Sequence, residues 1–301
     1  MTTEAGRVET PRTGASGPRS VRSPMSNLEV DIRLLGMVIA LVVLWVTFNV
    51  LAESARGDDS NVVMAGAHLD SVAEGPGIND NGSGSAALLE TAVQMAKVNP
   101  RNTVRFAFWG AEEASLVGST FYVNDLVAND TESLESIALY LNFDMVASPN
   151  YGLFVYDGDG DAFGLTGPDG SDDIEARFEQ FFADRGVASR PTAFSGRSDY
   201  QAFILNDIPA GGLFTGAEGI KTAEEAGLWG GTAGVAYDPC YHSACDTIEN
   251  LSMEALDINS DAIAATTLTY AMNTEEINDV RGKGNFRTVS PGAPDLNLTA
   301  D

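Results

Sequence analysis

Short apolar runs alternate along this chain with longer stretches whose apolar residues recur every three or four positions, and that alternation restricts the fold more than any other feature. Val62–Ala67, Thr103–Trp109, Ala138–Phe143 and Pro209–Phe214 have strand-like composition and are too short for typical helices. Gly84–Val98, Ala114–Leu126, Asp172–Ala183 and Ser252–Met272 carry helical spacing. Strands taking turns with helices predict an α/β fold: a mixed, largely parallel central sheet with helices on both faces.

In open α/β sheets ligands bind beyond the carboxyl ends of the strands, so the residues just after each run carry the most information. His68 and Asp70 follow the first run, with Asp80 close behind in GINDNGSGS. Glu112 and Glu113 follow the second run and Asp144 the third, while His242 lies further on in CYHSACD. Singly, each has an ordinary explanation. His68 fits a hydrogen-bonded core histidine, Asp80 and Asp144 fit turn residues, His242 fits a surface position, and Glu112-Glu113 fits a pair of acids in the first turn of a helix. Jointly, both histidines of the chain and several carboxylates arrive from different loops. Such a set is expected to hold two zinc ions about 3.5–4 Å apart with one carboxylate shared.

Charge excludes a competing class of function. The net charge is −26, and because residues 1–52 carry five Arg against four acids, the rest of the chain carries −27. A field of that sign repels phosphate backbones, so no nucleic-acid partner is expected. Residues 1–33 are polar and Arg-bearing without an apolar period and read as a disordered basic extension. Residues 34–52 (LLGMVIALVVLWVTFNVLA) hold no charge and approach the length of a bilayer crossing. With basic residues before the segment and acidic ones after it, the segment reads as a cleaved signal or a retained anchor that sends the remainder across the membrane; a buried core helix is the alternative. The mature part is then extracytoplasmic, secreted or anchored through 34–52. Cys240 and Cys245 are close enough to form a disulfide in an oxidising compartment, the alternative being two free buried thiols. Residues 53–274 form the folded domain, and 275–301 are polar, rich in Gly and Pro, and expected to be a flexible tail.

The segments MAGAHLDSV, GINDNGSGSAALLE, RFAFWGAEEASLVGS, NFDMVASPN, FSGRSDY, IPAGGLFTGAEGIKT and GGTAGVAYDPCYHSACDTIEN resemble, in order and distance, the dizinc exopeptidases of the aminopeptidase S and aminopeptidase Y type, over about residues 62–272. The resemblance implies a zinc-exopeptidase-like sheet. It also implies that His68 and Asp144 bind one zinc, that Glu113 and His242 bind the other, and that Asp80 bridges them. By the same resemblance Glu112 is the general base, Asp70 orients the His68 imidazole, and Tyr241 hydrogen-bonds the oxyanion. Met145, Gly196, Arg197 and Phe214 line the pocket for the amino-terminal residue, and Cys240 and Cys245 match the family's disulfide. Asp257 and Asp261 match carboxylates of a calcium site found in some members. The Asp157–Asp161 string lacks the spacing of an EF-hand and reads as a polar loop.

The resemblance departs at its start, where members carry an opening helix and one or two strands. Here only residues 53–61 separate the apolar segment from Val62, so the sheet is expected to lack edge strands and a covering helix. The implied function is an exported, monomeric aminopeptidase that releases large apolar residues from peptides with a free amino terminus by metal-activated water. The alternatives are a related dizinc carboxypeptidase or N-acyl amino-acid hydrolase, or a truncated, inactive peptidase-like binding protein.

Overall fold

In a computed structural model, β1 (Val62–His68) runs through the sheet interior with all seven of its residues buried. Residues 53–54 and 56–282 are described, so the extension 1–33, the apolar segment 34–52 and residues 283–301 lie outside the described residues. The described residues fall within one unit, residues 49–301. Among them no helix is long and apolar enough to cross a membrane.

β1 is flanked by β2 (Thr103–Trp109) and β3 (Ile137–Phe143), both parallel to it. Beyond β3 come β6 (Ala210–Phe214), β4 (Phe154–Tyr156) and β5 (Arg190–Thr192), giving the order β2-β1-β3-β6-β4-β5. Among the described strands only the β4–β6 pairing is antiparallel, so the sheet is mixed and largely parallel as the sequence predicts. β4 and β5 span three residues each, too short to carry a period, and had no counterpart in the sequence reading. β2 forms one edge, where Glu53 makes an antiparallel bridge to Arg105 and the Ser54 amide donates to the Val104 carbonyl at 3.1 Å.

Successive strand residues point to opposite faces, and each face has its own core. On one face Val63, Ala65 and Ala67 of β1 and Leu139, Leu141 and Phe143 of β3 pack with residues of α1 (Gly82–Met95), α4 (Ser171–Asp184) and α7 (Met253–Met272). On the other, Met64, Trp109 and Tyr140 pack with Val123 of α2 (Val117–Asn129) and Phe203 of α5 (Gln201–Ile204). Each fully buried Leu or Phe contributes about 1.5–3 kcal/mol relative to exposure, which makes this two-sided burial the main force holding the strand ends in place. α3 (Thr131–Glu135) and α6 (Ala223–Trp229) complete the shell. Residues 275–282, read from the sequence as the start of the tail, are tied to the domain. α8 (Glu275–Asn278) ends on Asn278, which donates to Asn61 Oδ1 at 2.8 Å, and Thr274 bridges Val280.

The second helix begins later than its apolar spacing suggests. Ala111, Ser115 and Leu116 adopt φ of 59°, 77° and 58°, so the chain makes a tight left-handed turn before α2 starts at Val117. Glu112 and Glu113 therefore sit in that turn, not in the first turn of a helix facing its dipole. The Asp157–Asp161 segment is a loop whose amides are taken up locally. Asp157 accepts from Gly160 and Phe163, and Glu175 accepts from Gly158 and Asp159.

Candidate metal centre

The carboxyl ends of β1, β2 and β3 bring His68, Glu112, Glu113 and Asp144 to one side of the sheet, and two loops add Asp80 and His242. The segment before α1 is held against β3 by Asn81, whose Oδ1 accepts from Gly84 and Met145 and whose Nδ2 donates to the Phe143 carbonyl. Gly84 is required for that approach, since a Cβ there would stand 2.3 Å from the Phe143 carbonyl oxygen. His242 and Met145 both sit at φ 53°, and non-glycine residues in this region cost on the order of 1–3 kcal/mol each and gather at functional sites.

Two groups of donor atoms share one carboxylate. His68 Nε2 lies 3.3 Å from Asp80 Oδ1 and 3.3 Å from Asp144 Oδ1. His242 Nε2 lies 3.2 Å from Asp80 Oδ2 and 3.1 Å from Glu113 Oε2. The two oxygens of Asp80 thus face different histidines. Tetrahedral coordination with bonds of about 2.0–2.1 Å has donor–donor edges of roughly 3.3–3.4 Å, and both groups are set at close to that spacing. Glu113 Oε1 is buried without a hydrogen-bond partner, which suits a ligand and is costly for an idle carboxylate.

Electrostatics point the same way. Burial, followed by repulsion from Asp144, pushes the Glu112 carboxyl up to about 9. Burial and then Asp80 push Glu113 up to about 7, and burial and then Asp144 raise Asp80. Asp199, buried beside Ser198, is pushed up to about 7 chiefly by burial. For His68, burial opposes the charged form, but Asp144, Asp70 and Asp80 outweigh it and raise its affinity for a proton. Carboxylates crowded this closely around two imidazoles form a site short of positive charge, and bound divalent cations would reverse these shifts.

Surrounding groups fix the donors. The Ser198 hydroxyl donates to Asp144 Oδ2 at 2.6 Å and accepts from Asn142 Nδ2 at 2.8 Å, while Tyr140, hydrogen-bonded by Trp109, donates to Asn142. Asp70 meets the His68 ring from two sides. Its carboxylate stands 3.6 Å from His68 Nδ1, whose nearer partner is the Asp70 backbone oxygen at 3.1 Å. The carboxylate also accepts from the Glu112 and Glu113 amides at 3.0 and 3.2 Å, because the left-handed turn after β2 aims both N–H groups at it.

Met145, Arg197, Phe214 and Tyr241 line the same cavity as Asp80, Glu112, Glu113, Asp144 and His242, together with Tyr156 and Tyr200, which the sequence reading missed. Gly196 lies at its margin, donating its amide to Tyr200 Oη. Arg197 is paired with Glu218 at 2.9 Å and donates to Tyr241 Oη at 3.0 Å, and the Tyr241 ring stacks on His242 at 3.8 Å. Cys240 and Cys245 are disulfide-bonded, which closes the loop that carries His242 and settles the choice against free thiols. Asp257 and Asp261 are exposed on α7, where Asp261 faces Arg185 at 3.8 Å, and they do not join the gathered donor groups.

Comparison with known proteins matches residues 49–267 to the model of peptidase family M28. A Pseudomonas aeruginosa protein named aminopeptidase is 58% identical over 233 residues, which are 77% of this chain and 43% of that protein. Leucine aminopeptidase 2 of Arthroderma otae is 52% identical over 245 residues, 81% of this chain and 49% of that protein. A solved zinc aminopeptidase from Bacillus subtilis superposes with a TM-score of 0.58 at 26% identity, covering 75% of this chain and 50% of that structure. The chain spans about half the length of the curated relatives it matches.

Proposed function

We propose that this chain, which belongs to peptidase family M28, is an aminopeptidase that holds two zinc ions between His68, Asp144, Asp80, Glu113 and His242. The observation that carries the reading is the division of Asp80 between the two histidines, at 3.3 and 3.2 Å, with Asp144 and Glu113 completing the two halves. Zinc bound there would supply Lewis acidity and lower the pKa of a water held at the site.

The chain's own groups do the rest. Glu112 is 8% exposed and lines the cavity, so its carboxylate takes a proton from the attacking water and returns it to the leaving amine. Tyr241 Oη accepts from Arg197, which leaves its own proton free to donate to the carbonyl oxygen as negative charge grows there. Asp80, Glu112, Glu113 and Asp144 give the cavity a negative lining that attracts a free α-ammonium group. Arg197, the one guanidinium in that lining, is already paired with Glu218, which disfavours a carboxylate-selecting carboxypeptidase. Met145, Phe214 and Tyr156 give an apolar wall that suits a large apolar amino-terminal side chain.

The domain is assigned to the extracytoplasmic side, on the strength of the charge-free segment 34–52 and the disulfide. The test is hydrolysis of leucyl-chromophore and blocked N-acetyl-leucyl substrates by the purified chain, before and after chelation and with zinc restored. Cleavage of the free-amine substrate alone, lost on chelation and regained with zinc, is the expected result. Activity that survives chelation rejects the metal mechanism, and equal cleavage of the blocked substrate rejects aminopeptidase selectivity.

A further inference from the structure

His242 reaches the centre on a loop without regular secondary structure and from a left-handed backbone position, so something outside a helix or strand must fix it. The disulfide closes residues 240–245, but a closed loop still has to be docked. Asp246, the residue after Cys245, is 2% exposed and accepts two consecutive backbone amides, Asn79 at 2.8 Å on Oδ1 and Asp80 at 3.1 Å on Oδ2. Its own carbonyl accepts from the Ile78 amide at 3.2 Å. At the other root of the loop, buried Asp238 accepts from the Asn79 side chain at 2.6 Å and from the Cys240 amide at 2.8 Å. Both roots therefore grip the segment that presents Asp80.

These contacts close a small circuit. It runs from the Asp80 amide to the Asp246 carboxylate, along four residues to His242, and from His242 Nε2 back to Asp80 Oδ2 at 3.2 Å. His68 and Asp144 lie outside it, at the ends of β1 and β3. We propose that Asp246 is a positioning residue that holds the His242 half of the centre in register with the shared Asp80, and that the His68 half, which meets the circuit only through Asp80 Oδ1, depends on it less. The proposal rests on the two-metal reading given above.

The test uses the metal-stripped full chain titrated with cobalt(II). Binding is followed by visible absorption, and each step is assigned by the paramagnetically shifted imidazole resonance it brings out, since the chain has two histidines. Asp246→Asn keeps size and shape but sets an NH2 group against an amide N–H. Loss of such a partner behind a ligand weakens metal binding by about 10–100-fold. The expected result is that loss for the step that shifts His242, with the step that shifts His68 weakened less. Two unchanged steps, or two steps weakened alike, overturn the proposal. A wild-type chain that binds fewer than two cobalt ions overturns the two-metal reading beneath it. If Asp246→Asn does not fold, Asp238→Asn removes an acceptor at the other root and carries the same outcomes.

Discussion

The Ser198 hydroxyl donates to Asp144 at 2.6 Å, shorter than most neutral hydrogen bonds and in the range of bonds to an ionised acceptor. Ser198 also accepts from Asn142, so it links a carboxylate of the centre to the buried Trp109–Tyr140–Asn142 chain between β2 and β3. Ser198→Ala leaves Asp144 Oδ2 and Asn142 Nδ2 short of a partner in a buried setting. Urea unfolding is expected to lose about 1–3 kcal/mol, with Ser198→Thr regaining most of it. An alanine variant as stable as the wild type would mean that this link carries no weight.

The adjacent carboxylates Glu112 and Glu113 are assigned different work, and isosteric replacement separates them. Glu112→Gln should keep its metal and lose about 10²- to 10⁴-fold in kcat, because the proton acceptor is gone while the donor groups are intact. Glu113→Gln should lose metal from the His242 half. Metal content by mass spectrometry alongside kcat decides the matter, and full turnover in Glu112→Gln would remove that residue from its role.

Away from the centre, Glu175 offers a pH test. Its carboxyl is pushed from 4.5 up to about 7, chiefly by burial, and the Asp159 and Gly158 amides that it accepts offset only part of the rise. A group with a raised folded-state pKa stabilises the fold while it is protonated, so this contribution is complete below about 4.5 and is lost as pH rises through about 7. Glu175→Gln removes that loss. The Tm of the variant relative to wild type should therefore climb between about pH 5 and pH 8, and a difference flat across that interval would contradict the assignment.

Salt should stabilise this domain. The chain beyond residue 52 carries −27, and its ion pairs, such as Arg190–Glu224 and Arg197–Glu218, are largely exposed. Exposed pairs contribute little, whereas self-repulsion of this size is relieved as the screening length falls from about 10 Å at 0.1 M to about 3 Å at 1 M. Tm measured across that range of sodium chloride is expected to rise, and a fall would show that the surface pairs outweigh the repulsion.

The sheet and the donor set were legible in the sequence because long apolar strands and ligand-type residues at their ends leave a pattern that one chain can display. His68, Glu112, Glu113 and Asp144 each follow a buried run, and the structure gathers them with Asp80 and His242. What escaped detection lacks such a pattern. β4 and β5 are three residues long, α6 is seven, and the left-handed turn at Ala111–Leu116 delays α2 with no glycine at the positive-φ positions to announce it. The supporting groups Ser198, Asn81 and Asp246 are ordinary polar residues whose partners lie 54, 64 and 166 positions away, a separation that only the fold reveals.

The central claim is that one carboxylate, Asp80, is shared between two metal ions. Anomalous X-ray diffraction at the zinc absorption edge, on crystals of the zinc-loaded chain, tests it most directly. Two peaks about 3.5–4 Å apart are predicted, one beside His68 and Asp144 and the other beside Glu113 and His242, with an oxygen of Asp80 at each. A single peak, or two peaks of which only one touches Asp80, would contradict it.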